Sequence, residues 1–208
     1  MRIIIKFLFK IVAMILYRPK IVGKENIPKD TGALLCPNHV HNLDSAIIVA
    51  MFKRKVNVLA KEELFKNGFI RWIADLFGVY PIKRGKADLQ AIKISLKLLK
   101  NDELLLMFPE GTRHGLEKGK KPKNGAVLIA ASAEKPIIPI GFQGNFKPFT
   151  KVIVNIGKPI DYSKYKEEVK EKEQATKLTQ ELMQEIVKLR DEDIKPCQKS
   201  WKKQKLQV

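Results

Sequence analysis

The sequence predicts a single α/β domain with a mostly parallel or mixed central sheet flanked by helices. Short apolar runs alternate with longer helical stretches, which is the spacing typical of such sheets. A length of 208 residues with 45% apolar residues is enough to bury one core, and we find no internal repeat or linker. We divide the chain into an N-terminal apolar membrane-interface helix (1–18), an α/β core (19–162), and a C-terminal charged helix with a basic tail (163–208).

The first 17 residues are apolar apart from Arg2, Lys6 and Lys10. Their longest uncharged run, from Ile11 to Tyr17, is far shorter than the ~20 residues that span a bilayer. No small-residue cleavage site of a signal peptide follows it. We therefore expect a helix that lies in the membrane interface with its lysines reaching the headgroups. The alternative is a helix that packs on its own domain.

Apolar runs bounded by turn residues predict seven strands, at 21–22, 33–36, 56–60, 79–82, 104–108, 137–142 and 152–156. Between and after them we expect helices at 45–52, 62–77 (one or two short helices), 86–100, 125–133 and 163 to about 190. The helix at 86–100 is expected to bury the face that carries Leu89, Ile92, Leu96 and Leu99. The last helix is expected to bury the apolar stripe of Val169, Leu178, Leu182, Ile186 and Leu189.

The net charge of +18 is concentrated in the predicted folded part, because residues 1–162 carry 28 Lys/Arg against 13 Asp/Glu, an excess of 15. Such a surface attracts polyanions, either nucleic acid or an anionic membrane. The chain has no interleaving of aromatic and basic residues and no known nucleic-acid module. We therefore expect an anionic membrane surface as a partner and no nucleic acid.

The two cysteines, Cys36 and Cys197, are far apart in sequence and do not suggest a disulfide framework, which fits a reducing cytosol. Cys36 follows three apolar residues in a predicted strand. This position favours a small buried hydrophobic residue over a nucleophile.

His39 and Asp44 are the central candidate pair. His39 follows the predicted strand 33–36, and Asp44 stands at or near the N-cap of the next helix. On a continuous helix their five-residue spacing would turn them about 140° apart, so they can meet only across a turn. Pro37, Asn38 and Asn42 favour such a turn. An aspartate that holds one imidazole nitrogen lets the other take a proton from a hydroxyl.

Other polar residues also follow predicted strands, where ligands of α/β sheets collect. Lys61, Arg84 and Arg113 could bind a phosphate, the arginines through paired donors. Glu110 could accept hydrogen bonds from a polyol hydroxyl or hold one of the arginines. Gly111 would let backbone amides approach a ligand closely. Together with His39 and Asp44, this set could hold a phosphorylated alcohol.

The motifs that carry these residues resemble the four sequence blocks of the glycerolipid acyltransferases, in particular the bacterial 1-acyl-sn-glycerol-3-phosphate (lysophosphatidic acid) acyltransferases. In chain order they are Asn38-His39-x4-Asp44, Ile82-Lys83-Arg84-Gly85, Phe108-Pro109-Glu110-Gly111-Thr112-Arg113 and Ile138-Pro139-Ile140. The segment 60–64 (AKEEL) is similar to a further stretch of that family. The resemblance covers about residues 20–160.

The resemblance implies a reaction and roles for these residues. His39, oriented by Asp44, would be the general base on the sn-2 hydroxyl of lysophosphatidic acid. That hydroxyl would attack an acyl-CoA or acyl-ACP thioester directly, forming phosphatidic acid in phospholipid biosynthesis. The remaining motif residues would bind the acceptor (Arg84, Glu110, Gly111, Thr112) or its phosphate (Lys61, Arg113).

We expect no cofactor, since acyl-CoA or acyl-ACP serves as co-substrate, and no metal. The expected partners are membrane lipid, the acyl donor and, where it carries the acyl group, acyl carrier protein. The expected location is the cytoplasmic face of the cell membrane, as a peripheral or monotopic protein. One alternative is acylation of another lysophospholipid or acceptor. Another is a metal-dependent phosphoesterase that uses His39, His41 and Asp44 as zinc ligands, and a third is a basic nucleic-acid-binding protein.

Overall fold

The computed structural model describes residues 2–41, 43–82, 89–144 and 146–192. In this part of the chain the helices are α1 (Arg2–Tyr17), α2 (Asp44–Met51), α3 (Gly68–Phe77), α4 (Leu89–Lys100), α5 (Gly125–Ala133) and α6 (Lys172–Asp191). The strands are β1 (Lys20–Val22), β2 (Ala33–Pro37), β3 (Val56–Lys61), β4 (Val79–Ile82), β5 (Leu104–Leu106), β6 (Ile137–Gln143) and β7 (Ile153–Ile156). Short 3₁₀ turns lie at Lys24–Asn26, Glu62–Lys66, Ser163–Tyr165 and Glu168–Lys170.

The strands form one sheet in the order β1-β7-β6-β2-β5-β3-β4. The pair β6–β7 is antiparallel and the other pairs are parallel, so the predicted α/β fold with a mixed sheet is confirmed. The central strand β2 pairs with β5 and with β6, and Leu34 lies opposite both Leu105 and Ile137. The carboxyl ends of β6, β2, β5, β3 and β4 therefore meet at one edge of the sheet.

Strand β2 is buried on both faces because helices cover both sides of the sheet, as is typical of parallel strands. Leu35 packs with residues of α1 and α2, whereas Leu34 and Cys36 pack with α4, α5 and α6. Burial raises the pKa of the Cys36 thiol, which is consistent with a hydrophobic rather than a nucleophilic role.

Helix α6 packs directly against β6 where the strand carries a glycine. A Cβ atom on Gly141 would lie 2.2 Å from the backbone nitrogen of Arg190, so this contact requires glycine. The predicted stripe from Val169 to Leu189 is buried. The helix begins at Lys172 rather than at 163, since the preceding residues form two 3₁₀ turns and Glu171 is extended.

The face predicted for α4 is partly wrong. Leu89 and Ile92 are exposed, whereas Leu98, Leu99 and Ser95 are buried. Leu96 is partly buried against the core, as predicted. The hydroxyl of Ser95 donates to the carbonyl of Ala91, four residues back, so a polar residue is accommodated on the buried side.

Helix α1 has a packed side and an exposed apolar side. Ala13 and Tyr17 are buried, and α1 lies against α2. Its exposed apolar residues are Ile4, Phe7, Leu8, Ile11, Val12, Met14 and Ile15. With 16 residues, α1 is about 24 Å long. Within the described ranges, no helix combines the length and hydropathy needed to cross a membrane.

Candidate active site

The site begins where β2 ends. Asn38 follows the last residue of β2 and is buried, and its side-chain Nδ2 donates to the carbonyl of Phe142 at 3.1 Å. In return, the N–H of Phe142 donates to Oδ1 of Asn38 at 2.6 Å. The asparagine side chain thus continues the pairing of β2 with β6 for one more residue. This anchors the chain immediately before His39.

His39 and Asp44 meet across the predicted turn. Nδ1 of His39 lies 3.0 Å from Oδ2 of Asp44. The histidine side chain is 17% exposed and the aspartate side chain 0%. With Nδ1 bonded to the carboxylate, the neutral ring keeps its proton on Nδ1 and presents the lone pair of Nε2 to a substrate.

Asp44 is the first residue of α2 and its carboxylate closes the turn. In addition to His39, Oδ2 accepts the backbone N–H groups of Val40 at 2.8 Å and His41 at 2.9 Å. Its position in the first turn of α2 also places the negative charge near the positive end of the helix dipole. Oδ1 is buried and has no hydrogen-bond partner within the described residues.

Glu110 supports His39 from the neighbouring segment after β5. Its side chain is buried, with the residue 5% exposed. Oε1 accepts the N–H of His39 at 2.9 Å, and Oε2 accepts the N–H of Leu116 at 3.1 Å. The two oxygens thus join the turn between His39 and Asp44 to the loop that follows the FPEGTR segment. The ring of Phe108 stacks on that of His39 with 4.0 Å between centroids.

A second backbone bond ties the same loop to His39, since the N–H of His114 donates to the carbonyl of His39 at 2.7 Å. Gly111 has a φ of +67°, a left-handed conformation that glycine adopts without strain. Its N–H donates to the carbonyl of Phe108 at 3.0 Å. The glycine therefore makes the sharp turn that brings Glu110 back toward His39.

The cations expected at the site follow neighbouring strands. Arg113 is exposed, and its guanidinium makes no ion pair with the described residues. Lys61 is the last residue of β3, but its side chain is outside the described part of the structure. Arg84 lies in the segment 83–88, which is also outside it. Thr112 is half-buried beside Gly111.

Several contributors were not singled out by sequence reasoning. The sequence singles out Asn38 as a turn and motif residue, whereas its side chain also continues the pairing of β2 with β6. Phe108 and Phe146 stack on His39 and His41, respectively. The sequence carries a signal for Asn38, an amide directly after an apolar strand. Phe108 stands in the FPEGTR motif, but the sequence does not indicate its contact or that of Phe146, because both contacts join distant segments.

The metal-site alternative finds no support in the geometry. Over the described ranges, no group of three or more His, Cys, Asp or Glu side chains is arranged to hold an ion. Nδ1 of His39 is engaged by Asp44, and Nδ1 of His41 accepts the N–H of Leu43 at 3.2 Å.

Comparison with known proteins identifies the class. The family model described as "Acyltransferase" matches residues 18–143, which is more than half of the chain. The chain belongs to the acyltransferase family. The resemblance found in its motifs is therefore confirmed, and the protein is an enzyme of this class.

Individual relatives and a solved structure agree. The chain is 30% identical to the 1-acyl-sn-glycerol-3-phosphate acyltransferase of Bacillus subtilis over 177 residues, covering 82% of this chain and 87% of the relative. It is 38% identical over 117 residues to the enzyme of the same name from Streptococcus pneumoniae, covering 52% and 42%. The crystal structure of the 1-acyl-sn-glycerophosphate (LPA) acyltransferase PlsC from Thermotoga maritima matches with a TM-score of 0.69. It covers 93% of this chain and 83% of that chain at 23% identity, and this likeness concerns the fold.

Proposed function

We propose that this acyltransferase transfers an acyl group from a thioester, acyl-CoA or acyl-ACP, to the sn-2 hydroxyl of 1-acyl-sn-glycerol-3-phosphate. The product is phosphatidic acid, an intermediate of phospholipid biosynthesis. The observation that carries the proposal is the 3.0 Å contact between Nδ1 of His39 and the buried carboxylate of Asp44. The names of the two bacterial relatives support the choice of acceptor.

In the proposed reaction, Nε2 of His39 removes the proton of the sn-2 hydroxyl as its oxygen attacks the thioester carbonyl. The carbonyl electrons move to oxygen, and the tetrahedral intermediate collapses by expelling the thiolate. The imidazolium then returns the proton to that thiolate. No acyl-enzyme forms, because the hydroxyl attacks the thioester directly. Asp44 fixes the tautomer and stabilises the imidazolium. A positioned base contributes about 10²–10⁴ in rate, so alignment of the two substrates supplies much of the remainder.

The acceptor phosphate is assigned to the cations after the neighbouring strands. Arg113 follows β5, which is adjacent to β2, and Lys61 ends β3, the next strand along. At about 4.8 Å between neighbouring strands, the ends of β2 and β3 are about 10 Å apart. A glycerol backbone placed between His39 and these cations would span part of the 10 Å between the strand ends. The long side chains of Arg113 and Lys61 would cover the remainder. Arg84 follows β4 and is assigned to the same phosphate on the motif alone.

An apolar cavity beside α1 is the proposed site for an acyl chain. It has a volume of about 570 Å³, and most of its lining is apolar, including Phe7, Phe52 and Phe77. Three lysines, Lys10, Lys53 and Lys55, also line it. Phe7 lies ten residues before Tyr17 on α1, about 15 Å along the helix axis. Tyr17 contacts Phe146 next to the catalytic turn, so a groove along α1 would lead from the site to this cavity.

The exposed apolar side of α1 supports membrane contact, which we assign to the cytoplasmic face of the cell membrane. A face that carries Ile4, Phe7, Leu8, Val12 and Ile15 matches the pattern of a helix that lies in the lipid interface. The surrounding excess of basic residues would bind anionic headgroups. Lipid acceptor and enzyme would then meet at the same surface.

The proposal is tested by incubating the purified protein with several lysophospholipids, each combined with acyl-CoA and with acyl-ACP. Lysophosphatidic acid should be acylated, to phosphatidic acid, faster than uncharged or choline-bearing acceptors. Preference for another lysophospholipid would keep the acyltransferase chemistry and reject the acceptor. Comparison of the two donors identifies the thioester.

A further inference from the structure

His41 lies in the turn between His39 and Asp44, the catalytic turn, and supports it through both its backbone and its ring. Its backbone N–H donates to Oδ2 of Asp44, and its carbonyl accepts the N–H of Asp44 at 3.3 Å. In addition, ring atom Nδ1 accepts the N–H of Leu43 at 3.2 Å. Leu43 is the residue immediately before α2, so this bond holds the start of the helix that presents Asp44.

The second contact of the ring is with Phe146. The two rings are stacked with 5.1 Å between centroids and 16° between planes. Phe146 is buried and also contacts Tyr17, the last residue of α1, at 6.1 Å between ring centroids. Its φ of +54° is unusual for a bulky residue, so the surrounding packing holds it in this position.

The hydrogen bonds assign opposite tautomers to two histidines that are two residues apart. His39 bonds a carboxylate through Nδ1, so its neutral ring carries the proton there. His41 accepts a backbone N–H at Nδ1, so its neutral ring carries the proton on Nε2. Because Nδ1 of His41 already accepts a hydrogen bond inside the turn, it acts by setting the geometry of the neighbouring residues.

We infer that His41 is a positioning residue: its Nδ1 closes the turn that sets the Asp44 carboxylate against His39, and its ring connects that turn through Phe146 to the end of α1. Neither the proposed proton transfer nor the phosphate site uses this side chain. The inference goes beyond the proposed function, and only its kinetic test rests on the proposed acceptor.

The direct test is the tautomeric state of the ring nitrogens, observed by long-range ¹H–¹⁵N NMR of ¹⁵N-labelled protein. The chain contains only three histidines, so the ring signals can be assigned with single variants. In the wild-type protein at alkaline pH we expect His39 protonated on Nδ1 and His41 on Nε2. A proton on Nδ1 of His41 would overturn the inference without reference to any substrate.

The kinetic test separates the two contacts of the ring with three substitutions. His41→Asn keeps an acceptor near the position of Nδ1 and loses the stacked ring. His41→Gln places its acceptor near the position of Nε2, and His41→Phe keeps the stacking and has no acceptor. We expect His41→Asn to retain kcat within about threefold, and the other two to lose about ten- to a hundredfold, the usual cost of misplacing a catalytic group.

In the affected variants we expect KM for lysophosphatidic acid to remain near the wild-type value, because the change acts on Asp44 rather than on the acceptor. Retention of activity by His41→Gln but not by His41→Asn would assign a direct role to Nε2 and overturn the inference. Wild-type kcat in His41→Phe would also overturn it.

If circular dichroism shows that His41→Phe does not fold, the comparison of His41→Asn with His41→Gln decides. Absence of any acyl transfer by the wild-type protein would reject the proposed function and leave the NMR test intact.

Discussion

Oε1 of Glu110 accepts a 2.9 Å hydrogen bond from the backbone N–H of His39. The other carboxylate oxygen accepts the N–H of Leu116, so both oxygens are occupied by the backbone. The sequence predicts that Glu110 accepts hydrogen bonds from a polyol hydroxyl or holds an arginine, and this stays a prediction. In the structure its carboxylate joins the turn between His39 and Asp44 to the loop after β5.

We predict that Glu110→Gln lowers kcat more than it changes KM for the acceptor. The amide has one acceptor oxygen, so one of the two backbone N–H groups would face an NH₂ group. Leaving a buried donor unpaired costs about 1–3 kcal/mol, so the melting temperature should also fall. Steady-state kinetics and thermal unfolding measure the two effects. Glu173→Gln, at an exposed glutamate of α6, is the control and should alter neither. A rise in acceptor KM at unchanged kcat would return Glu110 to acceptor binding.

We predict that Arg113→Ala raises KM for lysophosphatidic acid at least tenfold and leaves KM for the acyl donor nearly unchanged. Loss of a charge-assisted hydrogen bond to phosphate costs about 1.5–3 kcal/mol, which corresponds to this factor or more. Lys121→Ala, which removes an exposed cation from the same loop, is the matched control. An unchanged acceptor KM in Arg113→Ala would place the phosphate elsewhere.

Membrane contact through α1 can be tested without deleting the helix, whose Ala13 and Tyr17 belong to the core. We predict that the double change Leu8→Glu and Ile15→Glu, at side chains 56% and 57% exposed, abolishes sedimentation with anionic vesicles. The fold should be retained because neither side chain is buried. Leu89→Glu, at an exposed leucine of α4, is the control and should still bind. Full vesicle binding by the double variant would place the contact elsewhere on the basic surface.

The loop before β2 depends on the charge of Asp102. This carboxylate accepts hydrogen bonds from the ammonium of Lys135, the N–H of Gly32 and the hydroxyl of Thr31. Lys135 first, and then Gly32, lower the pKa of Asp102. A pKa that is lower in the folded state stabilises the fold above the unfolded value of about 3.9, and this stability is lost as the pH falls through the folded value.

We therefore predict that Asp102→Asn lowers the melting temperature at pH 7. The difference from wild type should shrink as the pH falls below about 3.9 and through the lowered pKa of the folded state, where the wild-type side chain also becomes neutral. Asp30→Asn, an exposed change in the same loop, is the control. A difference that stays constant from pH 7 to pH 3 would show that the charge of Asp102 is not responsible.

The sequence was informative wherever a contact is local or periodic. The apolar run of β2 and the arrival of β2, β5, β3 and β4 at one sheet edge followed from strand–helix alternation, and the meeting of His39 with Asp44 followed from the turn residues between them. The start of α6 was placed too early, because over a few residues the 3.0-residue period of a 3₁₀ turn is hard to distinguish from the 3.6-residue period of a helix. The exposed position of Leu89 was missed because the spacing of leucines does not show which side of α4 faces the sheet.

Contacts between distant segments could not be predicted from local pattern. The bond from His39 to Glu110 joins residues 71 positions apart, and the stacking of His41 on Phe146 is more distant still. The bonds of Glu110 to the backbone were not predicted for this reason, since a carboxylate after a strand looks the same whether it meets a ligand or a backbone amide. Its role in acceptor binding stays a prediction. The roles of Lys61 and Arg84 stay predictions.

Whether His39 is the base is decided by the turnover of lysophosphatidic acid by His39→Ala, compared with wild type under saturating substrates. We predict a loss of at least about 10²-fold in kcat, the lower range for a positioned base, with an unchanged melting profile. A folded His39→Ala protein that forms phosphatidic acid at the wild-type rate would contradict the assignment of His39 as the base.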